Sequence, residues 1–279
     1  MNTPYSLEGK HILVTGGGTG IGQGIALEAA RQGADVVLSF YAETVTGAQE
    51  AVEEIKGMGR RATAIHADLG QVADCYRLVD EANAFLGGLD GLVNNAGITL
   101  SRRFLDTTEA DFNRIFNVNI RGQFFCAQRA VPYMTDRGSD LRRRYPDKPW
   151  AGGSIVNVSS VHSLVGFTAH SVYAGSKGAI NAFTRELAIE LCPLHIRANV
   201  LAPGSIEVQS YYTSDPNYTR EYGNSLVPWG RIGTPRDCGY LVSFLLSDAA
   251  EYVNGHVVYF DGGLTAKMAI PIDPPSGER

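Results

Sequence analysis

The sequence predicts an α/β fold in which helices cover both faces of a parallel sheet. Two observations carry this prediction. Short, continuous runs rich in β-branched residues alternate with segments of helical periodicity, and a glycine-dense turn joins the first run to the first helical segment. Continuous apolar runs are typical of strands that are buried on both faces, and their alternation with helices is typical of a doubly wound sheet.

Seven runs are predicted as strands, and helical patterns follow most of them. They lie at residues 11–14, 36–38, 62–65, 91–93, 154–158, 196–200 and 257–260. Thr234 followed by Pro235 predicts the start of the helix before the last strand, because a capping side chain and a proline suit the first helical positions. The sequence thus predicts one Rossmann-type, seven-stranded parallel sheet in a single domain over residues 1–279.

The turn after the first strand, residues 15–22 (TGGGTGIG), predicts a phosphate site. Glycine permits positive φ and lets the backbone approach a ligand closely. The helix that follows directs unpaired N–H groups and the positive end of its dipole toward the turn, which favours an anion. Strand, glycine turn and helix in this order form the dinucleotide-binding fingerprint, so we expect a pyrophosphate here.

Two segments interrupt the alternation of strands and helices, and a tail follows the last strand. Residues 136–153 are polar, locally basic and contain proline, which predicts a solvated insertion. Residues 205–228 are rich in Tyr, Ser and Asn and follow the sixth strand, which predicts an irregular substrate lid. The tail at residues 264–279 begins apolar, and we expect it to cover a neighbouring subunit or the active site.

Composition narrows the class of partner. The 24 Lys and Arg residues against 29 Asp and Glu give a net charge of −5, which disfavours nucleic acid and anionic membrane. No stretch has the length of a signal peptide or a membrane span. The cysteines show no paired spacing, which predicts reduced thiols and no metal site; they are Cys75, Cys126, Cys192 and Cys238. We therefore expect a cytoplasmic protein with a small-molecule substrate.

Tyr173 and Lys177 are four residues apart at the start of a helical run. This spacing puts both side chains on one helix face. A free phenol has a pKa of about 10 and is a poor base, but a neighbouring ammonium lowers that pKa. The pair therefore indicates an acid/base group.

Further motifs accompany this pair: Ser159-Ser160, Asn94-Asn95-Ala96-Gly97, Asn119 within NVNIRG, Asp68-Leu69 and Pro203-Gly204. Together with the glycine turn they closely resemble the short-chain dehydrogenase/reductase family, from about Leu7 to Gly263. The family places its catalytic serine thirteen positions before the tyrosine, which selects Ser160 over Ser159. The resemblance implies the catalytic group Asn119, Ser160, Tyr173 and Lys177.

The resemblance also implies the chemistry, a hydride transfer between nicotinamide C4 and a carbinol or carbonyl carbon. Tyr173 exchanges the proton, and Ser160 hydrogen-bonds the reacting oxygen. Lys177 lowers the Tyr173 pKa and binds the nicotinamide ribose, while Asn119 holds a water. The implied cofactor contacts are Gly16, Gly18, Thr19, Gly20, Ile21, Gly22, Ser39, Phe40, Tyr41, Asp68, Leu69, Asn95, Ala96, Gly97, Tyr173, Lys177, Pro203, Gly204 and Ile206.

One departure from the family concerns Val208, which stands where a threonine usually contacts the cofactor carboxamide.

A second departure concerns the choice between NAD and NADP. NAD-selective members carry an acid at the position of Phe40, at the end of the second strand, whereas NADP-selective members carry Lys or Arg in the glycine turn or just after that strand. Residues 34–55 contain no Lys or Arg and five acids. A 2′-phosphate would lack a charge-assisted bond, which predicts NAD. NADP stays the alternative, because Ser39 and backbone amides can still accept a phosphate.

Ser159–His162 and the ending at residues 260–265 resemble the glucose or aldose 1-dehydrogenase branch, so the predicted reaction is oxidation of an aldose at C1. His162, with Ser160 and Tyr173, is the predicted substrate contact. Hydroxyl-rich sugars suit a lid of aromatic and amide side chains; these are Tyr211, Tyr212, Asn217, Tyr218 and Asn224, with Trp229 beside them.

The first alternative is a 3-oxoacyl-carrier-protein reductase, with Arg102-Arg103 or Arg142-Arg143-Arg144 as a basic docking patch. Another polyol or keto reductase is also open. A nucleotide-binding member without turnover is disfavoured, because both Tyr173 and Lys177 are present. The family assembly and two apolar helices, around 112–131 and 173–191, predict a homotetramer.

Overall fold

The computed structural model describes residues 3–144 and 152–267, with the backbone alone at 141, 142 and 144. In this part of the chain one sheet of seven parallel strands has the order β3-β2-β1-β4-β5-β6-β7. The strands are β1 His11–Val14, β2 Asp35–Phe40, β3 Ala62–His66, β4 Gly91–Asn94, β5 Ser154–Val158, β6 Arg197–Pro203 and β7 Val257–Phe260. The predicted seven-stranded parallel sheet is confirmed.

Helices cover both faces of this sheet. They are α1 Gly20–Arg31, α2 Val45–Gly57, α3 Val72–Leu86, α4 Glu109–Phe116, α5 Gln123–Arg144, α6 Ser171–Glu190, α7 Gln209–Ser214, α8 Arg220–Leu226 and α9 Pro235–Leu246. One buried core joins α1, α2 and α9 to the sheet, and another joins α3 and α5 to its opposite face. The predicted start of α9 is also confirmed, because Thr234 forms a reciprocal cap with Asp237.

The strand order reverses between β1 and β4, which lie side by side although two strands separate them in sequence. In open parallel sheets a crevice forms at the carboxyl ends of the strands at such a point, and ligands bind there. The glycine turn after β1 and the Asn94–Gly97 segment after β4 both lie at this crevice. The topology therefore brings the two motifs together.

Two segments differ from the prediction. The apolar helix expected around 112–131 consists of α4, a π-helical turn at Asn117–Gly122 and α5. The expected insertion at 136–153 begins as a continuation of α5 to Arg144. Arg137 anchors the first turn of this continuation, because its Nε donates to the buried Asp90 carboxylate (2.7 Å) and its Nη2 to the Gly9 carbonyl (3.0 Å). Residues 145–151 lie outside the described part.

The predicted lid is not irregular, because it contains α7 and α8. Glu207 links the two helices: it accepts a hydrogen bond from Tyr212 of α7 (2.5 Å) and pairs with the Nε and Nη2 groups of Arg220 of α8. Of the predicted apolar tail, residues 268–279 lie outside the described part of the chain.

Across residues 3–144 and 152–267, none of the helices combines the length and apolar character needed to cross a membrane. The same ranges contain no group of three or more His, Cys, Asp or Glu side chains arranged to hold a metal ion.

Candidate active site

The glycine turn packs against the segment after β4. Gly16 and Gly20 have positive φ (65° and 53°). A Cβ on Gly22 would lie 2.2 Å from the Gly16 carbonyl oxygen and 2.3 Å from Asn95 Nδ2. Asn95 Nδ2 also donates to the Thr15 and Gly16 carbonyls at 2.9 and 3.1 Å. Because only glycines fit this packing and α1 begins at Gly20, the turn presents bare backbone at a helix start, which fits a pyrophosphate.

Ser39 supports this turn from inside the fold. Its side chain is buried, and its Oγ accepts the Gly16 N–H at 3.0 Å. Since Oγ only accepts in this bond, the hydroxyl hydrogen is still available to donate, and a contact of Ser39 with a 2′-phosphate stays a prediction. Beyond it, Tyr41 stacks on His66 (ring centroids 5.7 Å apart), and Phe40 meets the same ring edge-on (5.6 Å).

The remaining predicted cofactor residues lie along the carboxyl ends of the strands. Asp68 follows β3, and its carboxylate accepts the Gly70 N–H at 2.9 Å. Gly204 follows β6, and Ile206 is buried. Val208, which departs from the family pattern, packs beside the start of α1, where a Cβ on Gly20 would lie 3.2 Å from its Cγ1.

Three of the four predicted catalytic residues meet where β5 ends against α6. Ser160 begins a short 3₁₀ turn, and its Oγ accepts the His162 N–H at 3.2 Å. The Ser160 hydroxyl also bonds to the phenol of Tyr173. Lys177 Nζ donates to the Val158 carbonyl at 2.9 Å and lies 5.5 Å from the Tyr173 ring centroid.

Burial sets the protonation of this group. It raises the pKa of Tyr173, and the hydrogen bond with Ser160 offsets this only in part. Burial also lowers the pKa of Lys177 to about 8. Burial acts against the expected lowering of the Tyr173 pKa by Lys177, whose own ammonium is destabilised by burial and donates to a carbonyl. That role of Lys177 stays a prediction. Tyr173 is the protonated acid at neutral pH.

Asn119, the fourth predicted residue, lies in the π-helical turn and is fully buried. Its Nδ2 donates to the Ile98 carbonyl (2.9 Å) and to Ser176 Oγ (3.0 Å), and its Oδ1 accepts the Ile98 N–H (2.8 Å). Both amide hydrogens are thus used to hold the segment after β4 against α6. The side chain has no hydrogen left to donate to a water.

The lid places one tyrosine at the site. Tyr211 is half-buried, and the neighbouring phenols of Tyr218 and Tyr173 add to the burial that raises the Tyr211 pKa. Two of the polar groups expected to bind sugar hydroxyls are used elsewhere, whereas the buried Tyr218 hydroxyl has no partner within the described residues. Tyr212 donates to Glu207, and Asn224 Oδ1 accepts the Ile232 N–H at 2.8 Å. Asn217 and Trp229 are exposed.

Sequence reasoning missed an aromatic cluster beside Tyr173. The rings of His162, Phe167, His170 and Tyr173 each lie beside at least two of the others, with centroids 5.2–6.3 Å apart. Leu164 and Val165 are exposed between these residues. The only sequence signal was the run of apolar and aromatic residues between Ser160 and Tyr173, and it does not show that a backbone bend would bring the rings together.

A glycine cradle at the switch point and a buried Ser–Tyr–Lys group beside it define a dinucleotide-dependent oxidoreductase. A family model described as enoyl-(acyl carrier protein) reductase matches residues 16–265. The chain belongs to the short-chain dehydrogenase/reductase family and is an NAD(P)-dependent enzyme that acts on CH–OH or carbonyl groups.

Two relatives indicate the neighbourhood within the family. Hydroxynaphthalene reductase-like protein Arp2 of Metarhizium brunneum is 39% identical over 274 residues, covering 94% of this chain and 97% of the relative. Versicolorin reductase 1 of Dothistroma septosporum is 37% identical over 271 residues, covering 93% and 97%. The family expectation is confirmed, whereas these relatives give no specific support to the aldose dehydrogenase branch.

Two solved structures share the fold. A putative short-chain alcohol dehydrogenase from Sinorhizobium meliloti superposes with a TM-score of 0.84 at 37% identity, covering 95% of this chain and all of that one. A short-chain dehydrogenase from Burkholderia cenocepacia in complex with NADP has a TM-score of 0.81 at 32% identity, covering 93% and 99%. The cofactor of this chain is thus a nicotinamide dinucleotide.

Proposed function

We propose that this enzyme reduces a ketone carried on a ring of a hydroxylated, polycyclic aromatic compound. The observation that carries the proposal is the aromatic cluster of His162, Phe167, His170 and Tyr173, bordered by exposed apolar side chains. Flat rings pack well against such a surface. The names of the two relatives, a hydroxynaphthalene reductase-like protein and a versicolorin reductase, support the same substrate class.

The catalytic residues act on the ketone oxygen. Ser160 donates a hydrogen bond to this oxygen, and Tyr173 gives it the phenol proton as negative charge develops there. Lys177 stabilises the phenolate that remains, because its ammonium lies 5.5 Å from the ring. When bound, the nicotinamide supplies the hydride that adds to the carbonyl carbon. Because Tyr173 carries its proton at neutral pH, it can act as the acid in the reduction direction.

The aldose alternative is weaker on the geometry of the lid. Sugar hydroxyls need several free hydrogen-bond partners. The Tyr212 hydroxyl donates to Glu207, and Asn224 Oδ1 accepts the Ile232 N–H, so two of the lid groups expected to supply them are already in use. The carrier-protein alternative is also weaker, since Arg102 pairs with Asp111 at 3.0 Å and Arg143 with Asp140 at 3.3 Å.

For the cofactor we infer NAD, with NADP as the alternative. No Lys or Arg occurs in residues 34–55, and Thr19 is the exposed side chain at the end of the turn. A 2′-phosphate would meet no cation from these segments. We also propose a single catalytic domain over residues 1–279 and a cytoplasmic location.

The experiment is a substrate panel monitored by reduced-cofactor absorbance, with NADH and NADPH in reduction and NAD and NADP in oxidation. The panel contains hydroxylated bicyclic aryl ketones, acetoacetyl thioester and glucose. We expect kcat/KM for a bicyclic ketone to exceed that for glucose and for the thioester by about 10²-fold, since only the bicyclic compound has rings that can pack against the aromatic cluster. A higher kcat/KM for glucose or the thioester would contradict the proposal.

A further inference from the structure

The segment before α6 is held in an uncommon backbone conformation. Ala169 has a φ of 62°, which residues with a Cβ rarely adopt. Its carbonyl accepts the Arg102 N–H at 2.8 Å, and His170 Nδ1 lies 2.8 Å from the Thr168 carbonyl. A conformation of this kind costs about 1–3 kcal/mol and persists only where surrounding contacts hold it. Here those contacts fix the position of His170.

His170 in turn packs against His162. The two imidazole centroids are 5.2 Å apart, and the His162 centroid is 5.4 Å from that of Tyr173. Phe167 closes the group at 5.8 Å from His162. His162 thus packs among three rings directly beside Tyr173.

Hydrogen bonding determines which nitrogens carry protons. A carbonyl only accepts, so Nδ1 of His170 carries the hydrogen that Thr168 receives. His162 Nδ1 is buried and has no partner within the described residues. Burial and His170 lower the His162 pKa, so the ring is neutral near pH 7. A buried nitrogen without an acceptor is best left unprotonated, which puts the His162 hydrogen on Nε2 as a donor.

We propose that His162 donates a hydrogen bond to a second oxygen atom of the substrate, near the reacting carbonyl, and that His170 is the positioning residue that holds the His162 ring for this contact. The inference rests on the proposed function and makes it more specific. Ser160 and Tyr173 bind the oxygen that is reduced, whereas the histidine pair selects ring ketones that carry a neighbouring hydroxyl.

The test compares 1-tetralone with 3-hydroxy-1-tetralone, which share a ring system and differ by one hydroxyl. Binding to the enzyme–cofactor complex is measured by calorimetry at pH 8, and KM and kcat are measured in parallel. The wild type should bind the hydroxy ketone about 5- to 10-fold more tightly, as one additional hydrogen bond predicts. In His162→Phe, the two ketones should have similar Kd and KM values, while kcat stays similar for both. His162→Gln, which keeps a donor, should restore part of the preference.

His170→Ala should also reduce the preference, and His170→Phe, which keeps a ring against His162, should retain more of it. His256→Ala is the matched control, because His256 Nδ1 lies 2.8 Å from the carbonyl two residues earlier but outside the site. An unchanged preference in His162→Phe or in His170→Ala, with melting temperatures intact, would overturn the inference while leaving the proposed function standing. If the wild type binds neither ketone, both fail.

Discussion

At the residue scale, burial governs the two titrating groups of the active site. It keeps the proton on Tyr173 and lowers the pKa of Lys177 to about 8. A buried ammonium that the reaction requires is a cost to the folded state, and such costs are common at functional sites. Activity and stability should therefore respond in opposite directions to substitution of Lys177.

The first prediction is that Lys177→Met abolishes turnover but raises the free energy of unfolding at pH 7 by about 1–3 kcal/mol. Up to pH 8 both folded and unfolded wild type carry the proton, so the cost of burying the charge is fully present. Between pH 8 and 10.5 the folded state loses its proton first, and the advantage of the variant shrinks. Urea unfolding at pH 7 and pH 10 measures this.

Lys56→Met is the control for that measurement, because Lys56 is half exposed. The difference in free energy of unfolding between this variant and wild type should therefore be the same at both pH values. If Lys177→Met is less stable than wild type by the same amount at both pH values, then the charge on Lys177 is not a burden to the fold.

The second prediction concerns the cofactor. Tyr41→Arg should increase the kcat/KM for NADP(H) far more than it changes the value for NAD(H), by about tenfold or more, because arginine pairs with a phosphate as a fork. Dissociation constants for NADPH and NADH, from quenching of protein fluorescence, give the same comparison without turnover. An unchanged ratio would mean that the adenosine ribose does not lie near Tyr41.

At the element scale, Arg197 ties the start of β6 to the end of α9. Its Nη2 donates to the Leu245 carbonyl (2.7 Å) and the Ser247 carbonyl (3.3 Å), and its Nη1 donates to the Val253 carbonyl (3.3 Å). Arg197→Leu would leave these carbonyls without this donor. We expect a loss of about 2–4 kcal/mol in the free energy of unfolding.

Chemical denaturation of Arg197→Leu beside Arg143→Leu checks this. Arg143 is 79% exposed, so its replacement should change stability by less than about 0.5 kcal/mol. Equal effects of the two substitutions would show that the buried guanidinium is not a structural link.

The elements show what the sequence could predict. Strand positions followed from short buried runs, and the glycine cradle followed from one dense motif, since each depends on local residues. The π-helical turn at Asn117–Gly122 and the positive φ of Ala169 could not be predicted, because both are held by contacts with distant segments. His170 was missed for the same reason. The lid helices depend on Glu207, which gives no helical signal itself.

At the scale of the whole molecule, apolar side chains remain exposed on α4, α5 and α6. Phe112 is 46%, Phe124 44% and Ile189 75% exposed in the described protomer. Exposed apolar surface of this kind marks interfaces, and in this family such helices pack across two-fold axes. We propose a homotetramer, in agreement with the sequence expectation.

Light scattering at micromolar concentration should therefore give about four times the 30.0 kDa chain mass. Ile189→Glu should lower the mass, whereas Val45→Glu, at a position 37% exposed on α2, should not. Deletion of the residues beyond Thr265 should weaken assembly or substrate affinity. A monomer mass for the wild type would contradict the proposal.

The measurement that tests the central claim most directly is reduction of a hydroxylated bicyclic ketone by Tyr173→Phe beside wild type. The variant keeps the ring but removes the proton donor, so we expect kcat to fall by about 10²–10⁴-fold while the Kd for reduced cofactor stays within about threefold. Tyr76→Phe is the control, because the Tyr76 hydroxyl bonds to Gln128 away from the site, and its kcat should match wild type. Near-normal turnover by Tyr173→Phe would contradict the account.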